Sequence, residues 1–458
     1  MKLIIENLGI IKHAEIDLKK KFTLFCGRNN TGKTYASYIL HAFLSDGNVY
    51  QLNCIKDIVA QIINESCFRI SQDYIKEWLS ANCAGILNNI GSIFGIAEAT
   101  KDKLFSKLSV SVSYTKEDYD ELLNKQFKIT FAEGTNVWKF EKKEGTDIIS
   151  VESNFDLTAL SSGVSFRSNV FLIHILRVMA FHDISGVRML TVERNSIYTF
   201  KTELSLSRNE LIDQIQQTGK REIDVMDIIN RSSRRYPYAV RSSLKIANDL
   251  ENVQKNDSPF SNIADKIEQD LLMGQVSMTK NGDVEFHPQE MAPSKRLPFH
   301  LSSSIVKTMA SLVIYLRHLA QKGDVLIIDE PEMNFHPDVQ IVLARVFAML
   351  TQNGLNLVVS THSDYIIREV NNLIMAGVIS KHNQMEFLNE LGYQADMLLN
   401  YDDVAVLYFT KTGKNVVRVS PLPVDETGFA VESIDSAIND QNLNAERLYC
   451  RLLDNESN

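Results

Sequence analysis

Short apolar runs alternate with longer amphipathic stretches along the 458-residue chain. Apolar and polar residues alternate over residues 2–7 and 14–18, and a largely apolar run follows at residues 22–26, which predicts three strands. Helical spacing dominates from residue 35 to 105. The next elements predicted are a strand at 108–114, a hairpin at 127–140, a helix at 166–183 and a strand at 187–192.

The second half of the chain repeats this mixture. Residues 200–272 have polar, helical spacing, and Asn281-Gly282 predicts a hairpin turn between short strands at 276–278 and 284–286. Buried strands at 325–328 and 355–359 flank an amphipathic helix at 338–350. A further hairpin around Thr412-Gly413 and a final helix at 434–453 complete the pattern, which predicts an α/β fold.

The strand at 22–26 ends in a motif that fits G-x-x-x-x-G-K-[ST], the phosphate loop. Glycines let the backbone turn so that many amides face one point, and the following helix adds its N-terminus. We predict that Lys33 reaches the β- and γ-phosphates of a nucleoside triphosphate and that the Thr34 hydroxyl binds Mg²⁺. The predicted ATP-binding residues are Gly27, Arg28, Asn29, Asn30, Thr31, Gly32, Lys33 and Thr34.

Two carboxylates, Asp329 and Glu330, follow the buried strand at 325–328. Ligands gather at the C-terminal ends of strands in an open α/β sheet. We therefore predict that Asp329 belongs to the Mg²⁺ site and that Glu330 orients or deprotonates the attacking water. An acidic turn after a buried strand is also common without any function, so this prediction depends on the phosphate loop.

Other polar groups occur at predicted strand and helix ends. The strand at 355–359 closes in Ser360-Thr361-His362-Ser363, and His362 is a candidate to contact the γ-phosphate and position water. A lone loop histidine is more often structural, but the preceding strand and helix favour the functional interpretation. Ser302, Ser303 and Ser304 precede a helix, where they either cap its free amides or form a cradle for phosphate.

Composition restricts the remaining possibilities. Lys and Arg number 48 against 57 Asp and Glu, so the net charge is −9, and nonspecific coating of nucleic acid is not expected. The five cysteines lack paired metal-ligand spacing and are odd in number, which favours reduced thiols. The longest apolar run, at 170–181, is short and contains His174 and Arg177. We expect a cytoplasmic protein without a membrane span.

The order of these motifs resembles that of the ABC-type ATPase superfamily. Ile327-Ile-Asp-Glu-Pro-Glu332, His336-Pro337 and Ser360-Thr-His-Ser363 are most similar to the AAA-15/AAA-21 (OLD-like) branch, related to Rad50, SMC and RecF ATPases. The resemblance implies a mixed sheet flanked by helices, ATP and Mg²⁺ as ligands, Asp329-Glu330 as the Walker B pair and His362 as the switch histidine. It also implies that residues 302–304 form a degenerate signature acting on the nucleotide of another subunit in a homodimer or larger homo-oligomer.

The resemblance divides the chain into six parts. The predicted ATPase head comprises residues 1–45, 187–199 and 298–372. Residues 46–186 form a helical and β-hairpin insertion, 200–297 a helical insertion with a hairpin, and 373–458 C-terminal helices with a hairpin.

Two features allow more than one interpretation. A basic segment could contact the phosphates of nucleic acid, although a solvated helix face or a docking surface for an acidic partner protein is the more common explanation; it contains Arg231, Arg234, Arg235, Arg241 and Lys245. Arg194, in Glu193-Arg194-Asn195, could face a nucleotide or a neighbouring subunit, or could form a buried ion pair.

Three functions fit the resemblance. The first is a sensor or regulatory ATPase of an antiphage defence system that controls a separately encoded effector, such as a nuclease. The second is a DNA repair or maintenance ATPase that clamps DNA. The third is an enzyme with its own nuclease centre in the insertions.

Overall fold

The computed structural model describes residues 1–133, 136–154, 166–199, 236–280, 282–292, 295–413 and 416–456. Within these ranges the strands are β1 (Lys2–Leu8), β2 (Ile11–Asp17), β3 (Phe22–Gly27), β4 (Cys67–Arg69), β5 (Ser109–Ser113), β6 (Phe127–Glu133), β7 (Asn136–Lys142), β8 (Ile148–Ser153), β9 (Val187–Leu190), β10 (Gly274–Met278), β11 (Val284–Pro288), β12 (Leu297–Pro298), β13 (Val325–Asp329), β14 (Asn356–Thr361), β15 (Val404–Gly413) and β16 (Val416–Leu422).

The described α-helices connect and cover these strands. They are α1 (Lys33–Leu44), α2 (Cys54–Glu65), α3 (Gln72–Asn88), α4 (Ile90–Phe94), α5 (Glu98–Phe105), α6 (Lys116–Leu123), α7 (Phe166–Ala180), α8 (Tyr238–Asn248), α9 (Leu250–Val253), α10 (Ser261–Ile267), α11 (Ser304–His318), α12 (Pro337–Gln352), α13 (Asp364–Ser380), α14 (Met385–Glu390) and α15 (Glu432–Glu456).

The main sheet has nine strands in the order β5-β1-β2-β16-β15-β3-β14-β13-β9. Its centre is parallel: β3 pairs with β14, β14 with β13, and β13 with β9. All residues of β3 and β13 are buried, which explains their near-continuous apolar sequence. The predicted α/β class with a mixed, helix-flanked sheet is confirmed. The C-terminal ends of β3, β13 and β14 consequently lie at one edge.

The hairpin of β15 and β16 lies inside this sheet and not in a separate C-terminal part. β15 pairs in parallel with β3, from Val404 opposite Phe22 to Phe409 opposite Gly27. β5, which the sequence assigned to the first insertion, is the edge strand beside β1. The position of β15 follows because a buried strand such as β3 needs hydrogen-bonding partners on both sides, whereas β5 pairs with the outer side of β1.

Two apolar clusters cover the two faces of the sheet. Along β13, Ile327 belongs to the cluster that includes α1, α3 and α7, whereas Leu326 and Ile328 belong to the cluster that includes α11, α12 and α13. This alternation follows from the two-residue period of a strand. The sheet is therefore the middle layer of three.

The insertions form smaller units beside the head. β4, β8, β7 and β6 make a four-stranded sheet, and β10, β11 and β12 make a three-stranded one. The predicted hairpins are present, with Phe131 opposite Trp138 and Val276 opposite Phe286. In the described part of the chain, helices that are both long and apolar enough to cross a bilayer are absent.

Candidate nucleotide site

The phosphate loop leaves β3 at Gly27 and enters α1 at Lys33. Gly27 has φ +138° and Gly32 has φ +89°, both in the region that favours glycine. A Cβ atom on Gly27 would lie 2.4 Å from the carbonyl oxygen of Phe409, and one on Gly32 would lie 2.9 Å from Cδ1 of Ile11. The two glycines therefore let the loop pass closely over β15 and β2.

The ammonium group of Lys33 lies inside the loop. Its Nζ donates to the carbonyl oxygens of Gly27, at 3.0 Å, and Arg28, at 3.1 Å, and the residue is only 5% exposed. Burial lowers the pKa of Lys33, whereas the carboxylates of Glu330 and Asp329 act in the opposite direction. The loop thus holds a desolvated cation, which is the group that a phosphate loop directs at the β- and γ-phosphates.

The other loop residues present mainly their backbone. Thr31 is buried, and its hydroxyl donates to the carbonyl oxygen of Arg28 at 2.8 Å. Arg28, Asn29 and Asn30 are exposed, and Asn30 has φ +59°. Their side chains face solvent, so the backbone amides of this turn are the groups available to phosphate.

Thr34 and Asp329 meet although 295 residues separate them in sequence. The Thr34 hydroxyl donates to Oδ2 of Asp329 at 2.7 Å, and the Ser360 hydroxyl donates to Oδ1. Burial raises the pKa of Asp329, and these two hydrogen bonds oppose that shift. A hydroxyl and a carboxylate oxygen are hard ligands of the kind Mg²⁺ takes beside phosphate and water, so the residues fit this ion.

Glu330 and His362 lie next to each other at the same sheet edge. His362 Nε2 is 3.3 Å from Glu330 Oε1, and both side chains are partly exposed. Glu330 has φ +45°, a left-handed conformation that costs a non-glycine residue roughly 1–2 kcal/mol. A carboxylate that is held by a strained backbone, next to a histidine and near a buried lysine, is suited to directing a water molecule.

Glu332 is a residue that the sequence analysis did not single out. Its Oε1 accepts hydrogen bonds from the Thr361 hydroxyl, at 2.8 Å, and from the backbone N–H of His362, at 2.7 Å. Its Oε2 is buried and has no hydrogen-bond partner among the described residues. Glu332 thereby fixes the turn that carries His362. The signal was present as the second acid of Glu330-Pro331-Glu332, but its partner lies on another strand.

Arg194 is buried, and it forms no ion pair with a carboxylate of the described residues. It is 2% exposed, and it donates to the carbonyl oxygens of Asp329, at 2.6 Å, Glu330, at 2.7 Å, and Thr191, at 3.0 Å. Burial lowers the pKa of its guanidinium to about 10, so it stays protonated at neutral pH. The buried ion pair considered from the sequence is replaced by a contact with backbone carbonyls.

The three serines before α11 differ in accessibility. Ser302 is buried, and its hydroxyl has no hydrogen-bond partner among the described residues. Ser303 and Ser304 are exposed, and Ser303 occupies the N-cap without a side-chain cap hydrogen bond. Side-chain capping by Ser303 is therefore not observed, and the exposed part of the predicted signature is limited to Ser303 and Ser304.

The basic segment is only partly described. Arg231, Arg234 and Arg235 lie outside the described residues. Arg241 donates to the hydroxyl of Ser92, at 2.6 Å, and to its carbonyl, at 3.0 Å, and so joins α8 to α4. This contact gives Arg241 a structural role. Lys245 is exposed.

A cavity of about 410 Å³ lies at the opposite edge of the main sheet. Lys21, Gly323 and Gly354, which precede β3, β13 and β14, are among the residues that line it, and none of the predicted site residues is among them. The polar groups of the candidate nucleotide site therefore lie away from this cavity, at the edge formed by the C-terminal ends of β3, β13 and β14.

Comparison with known proteins finds a family that matches most of the chain. The AAA ATPase domain family AAA_15 matches residues 1–367. No curated protein matches the chain.

Several solved structures of SMC head domains are similar over most of their length. An SMC head bound to the C-winged helix domain of ScpA is 13% identical, with a TM-score of 0.37 over 93% of this chain and 98% of that one. The SMC head with an extended coiled coil, bound to the C-terminal domain of ScpA derived from Pyrococcus furiosus, is 12% identical, with a TM-score of 0.35 over 96% and 98%. The SMC head domain from Thermotoga maritima is 10% identical, with a TM-score of 0.31 over 92% and 98%.

The family match spans most of the chain and includes the phosphate loop, Asp329, Glu330 and His362. The chain belongs to the AAA ATPase domain family AAA_15.

Proposed function

We propose that the chain binds ATP with Mg²⁺ at the C-terminal edge of β3, β13 and β14 and hydrolyses it. The observation that carries this proposal is the 2.7 Å contact between Thr34 and Asp329. It joins the phosphate loop to the carboxylate strand, so the ammonium of Lys33 and the pair of Glu330 and His362 belong to the same site.

Each group then has a role in the reaction. The loop amides and Lys33 bind the β- and γ-phosphates, and Glu330 accepts a hydrogen bond or a proton from the attacking water. His362, 3.3 Å from Glu330, contacts the γ-phosphate from the side of that water. Mg²⁺, held through Thr34 and Asp329, neutralises phosphate charge when bound.

The substitution Glu330→Gln tests this assignment because it keeps the shape of the side chain and removes its basicity. We expect turnover of ATP to fall by at least about 100-fold while ATP binding is retained. Glu390→Gln, in the exposed part of α14, is the matched control and should hydrolyse ATP at the wild-type rate. Unchanged turnover in Glu330→Gln would remove this residue from the reaction.

We further propose that ATP joins two or more copies, with Ser303 and Ser304 of one copy contacting the nucleotide on another. Both residues are exposed at the start of α11, and Ser303 makes no side-chain cap bond. Glu330→Gln should therefore accumulate as an ATP-dependent oligomer in light scattering after size exclusion. A monomer under saturating ATP would contradict this part of the proposal.

The biological role that we propose is control of a separately encoded effector, such as a nuclease, in antiphage defence. The support is the resemblance of the motifs to stand-alone ATPases of such systems. Purification of the tagged Glu330→Gln protein from its native host with ATP should recover the product of a neighbouring gene.

Salt-sensitive, ATP-dependent DNA binding that is lost in Arg234→Ala/Arg235→Ala would favour the DNA-maintenance role instead. Metal-dependent cleavage by the chain alone would favour a built-in nuclease.

A further inference from the structure

The position of Arg194 follows from the pairing of β9 with β13. Leu190 lies opposite Ile328 in the parallel register, so Thr191 follows at the level of Asp329. The chain then turns, and residues 194–199 are helical. This turn brings the side chain of Arg194 over the C-terminal end of β13, which ends in Asp329 and is followed by Glu330.

The guanidinium of Arg194 binds two consecutive carbonyl groups. One terminal nitrogen donates to the carbonyl oxygen of Asp329 at 2.6 Å and to that of Thr191 at 3.0 Å, and the other donates to the carbonyl oxygen of Glu330 at 2.7 Å. A planar fork of N–H groups can hold neighbouring acceptors in one fixed geometry. The ammonium of a lysine cannot reproduce this arrangement.

Glu330, whose backbone lies between these two carbonyl groups, has an unusual left-handed conformation. Glu330 has φ +45°, its N–H donates to the carbonyl oxygen of Ser360 at 3.0 Å, and its own carbonyl accepts from Arg194. The next residue, Pro331, has no N–H with which to stabilise the turn. The Glu330 carbonyl also accepts a longer hydrogen bond from the N–H of Met333, at 3.4 Å, so Arg194 makes the shorter of its two contacts and, with Ser360, holds Glu330 where its carboxylate lies beside His362.

We propose that Arg194 is a positioning residue: it fixes the backbone of Glu330 so that the carboxylate stays aligned with the attacking water. This inference rests on the proposed ATP hydrolysis. Arg194 acts through the peptide groups on either side of Glu330 and needs no contact with the nucleotide. Its loss should affect the chemical step more than the binding of ATP.

Arg194→Ala and Arg194→Lys test this inference, with Arg188→Ala as the matched control. Arg188 is also buried, on β9, but it donates to the hydroxyls of Ser242 and Ser243 and not to the site. We expect kcat to fall about 100-fold in Arg194→Ala and about 10-fold in Arg194→Lys. The Kd for ATP should change by less than about threefold in both. Arg188→Ala should lower Tm without lowering kcat.

Chemical rescue separates positioning from a general loss of structure. Millimolar guanidinium chloride should restore part of the kcat of Arg194→Ala, while the same concentration of sodium chloride should not. Wild-type kcat in a folded Arg194→Ala protein would overturn the inference, as would equal losses of kcat in Arg194→Ala and Arg188→Ala. If Arg194→Ala does not fold, the kcat and Kd of Arg194→Lys decide. If the wild-type protein does not hydrolyse ATP, the proposed function falls, and this inference falls with it.

Discussion

Asp329 is the last residue of β13, and only 1% of its surface is exposed. Two hydroxyls, of Thr34 and Ser360, donate to its two carboxylate oxygens, yet burial still raises its pKa. The folded state therefore binds a proton on Asp329 more readily than the unfolded state does. Stability should fall as the pH rises from the unfolded pKa through the raised folded pKa, and the cost of the buried charge persists above that window.

The variant Asp329→Asn should show opposite effects on stability and activity. Removal of the buried charge should raise Tm at pH 7, by about 2–4 °C for each kcal/mol gained. The gain should vanish below about pH 3, roughly one pH unit under the ordinary pKa of an aspartate, where Asp329 is protonated in both states. Thermal unfolding across pH measures the first effect, and loss of Mg²⁺-dependent ATP turnover measures the second. A lower Tm at pH 7 would show that the charged carboxylate stabilises the fold.

At the scale of elements, β15 determines the shape of the phosphate loop. It pairs with β3 up to Gly27, and the carbonyl of Phe409 would lie within 2.4 Å of any Cβ added at that glycine. Phe409 also packs on Phe25, with ring centroids 5.4 Å apart. A strand near the end of the chain thus restricts a loop near its beginning, so the two regions should unfold together.

Gly27→Ala tests this restriction, and Gly47→Ala is its control. Both glycines have positive φ, but a Cβ on Gly47 would have no atom within 4 Å. Gly47→Ala should cost roughly 1 kcal/mol from its backbone alone. Gly27→Ala should cost about 1–3 kcal/mol more because Phe409 must move. Chemical denaturation measures both values, and equal losses would mean that β15 does not constrain the loop.

The sequence alone was enough to predict those candidate residues that directly follow a strand with a recognisable local pattern. The phosphate loop, Asp329-Glu330 and His362 each follow a strand with a recognisable apolar pattern, and their placement at strand ends could be inferred from strand direction. Arg194 could not be assigned because its acceptors are backbone carbonyls, which have no sequence signature. The insertion of β15 beside β3 was missed for a similar reason, since strand order depends on pairings between distant segments.

In the proposed assembly, the C-terminal edge of β3, β13 and β14 in one copy faces the start of α11 in another copy. The first turn of α11 carries no acidic residue, so its N-terminal dipole is not offset there by an acidic side chain. The net charge of −9 makes self-association unfavourable at low ionic strength. Binding of a triphosphate between copies would oppose this repulsion only if the contact with Ser303 and Ser304 is close.

Ser303→Glu should stabilise the monomer and prevent assembly. A carboxylate at the start of α11 favours the helix by about 0.3–1 kcal/mol, but it would repel a triphosphate held by another copy. Gln384→Glu, which places an acid at the exposed start of α14, is the control and should assemble normally. Light scattering of each variant combined with Glu330→Gln, with ATP, gives the comparison. An intact oligomer in Ser303→Glu would exclude this surface.

In the proposed site a triphosphate binds at the phosphate loop, with Lys33 under the electrostatic influence of the carboxylates of Glu330 and Asp329. Equilibrium titration with a fluorescent ATP analogue and Mg²⁺ tests it most directly in the wild-type protein, in Lys33→Ala and in Lys21→Ala, whose lysine is exposed at the opposite edge. We predict that Kd rises by about 10- to 100-fold in Lys33→Ala and stays unchanged in Lys21→Ala. Wild-type affinity in a folded Lys33→Ala protein would show that the triphosphate does not bind at this loop.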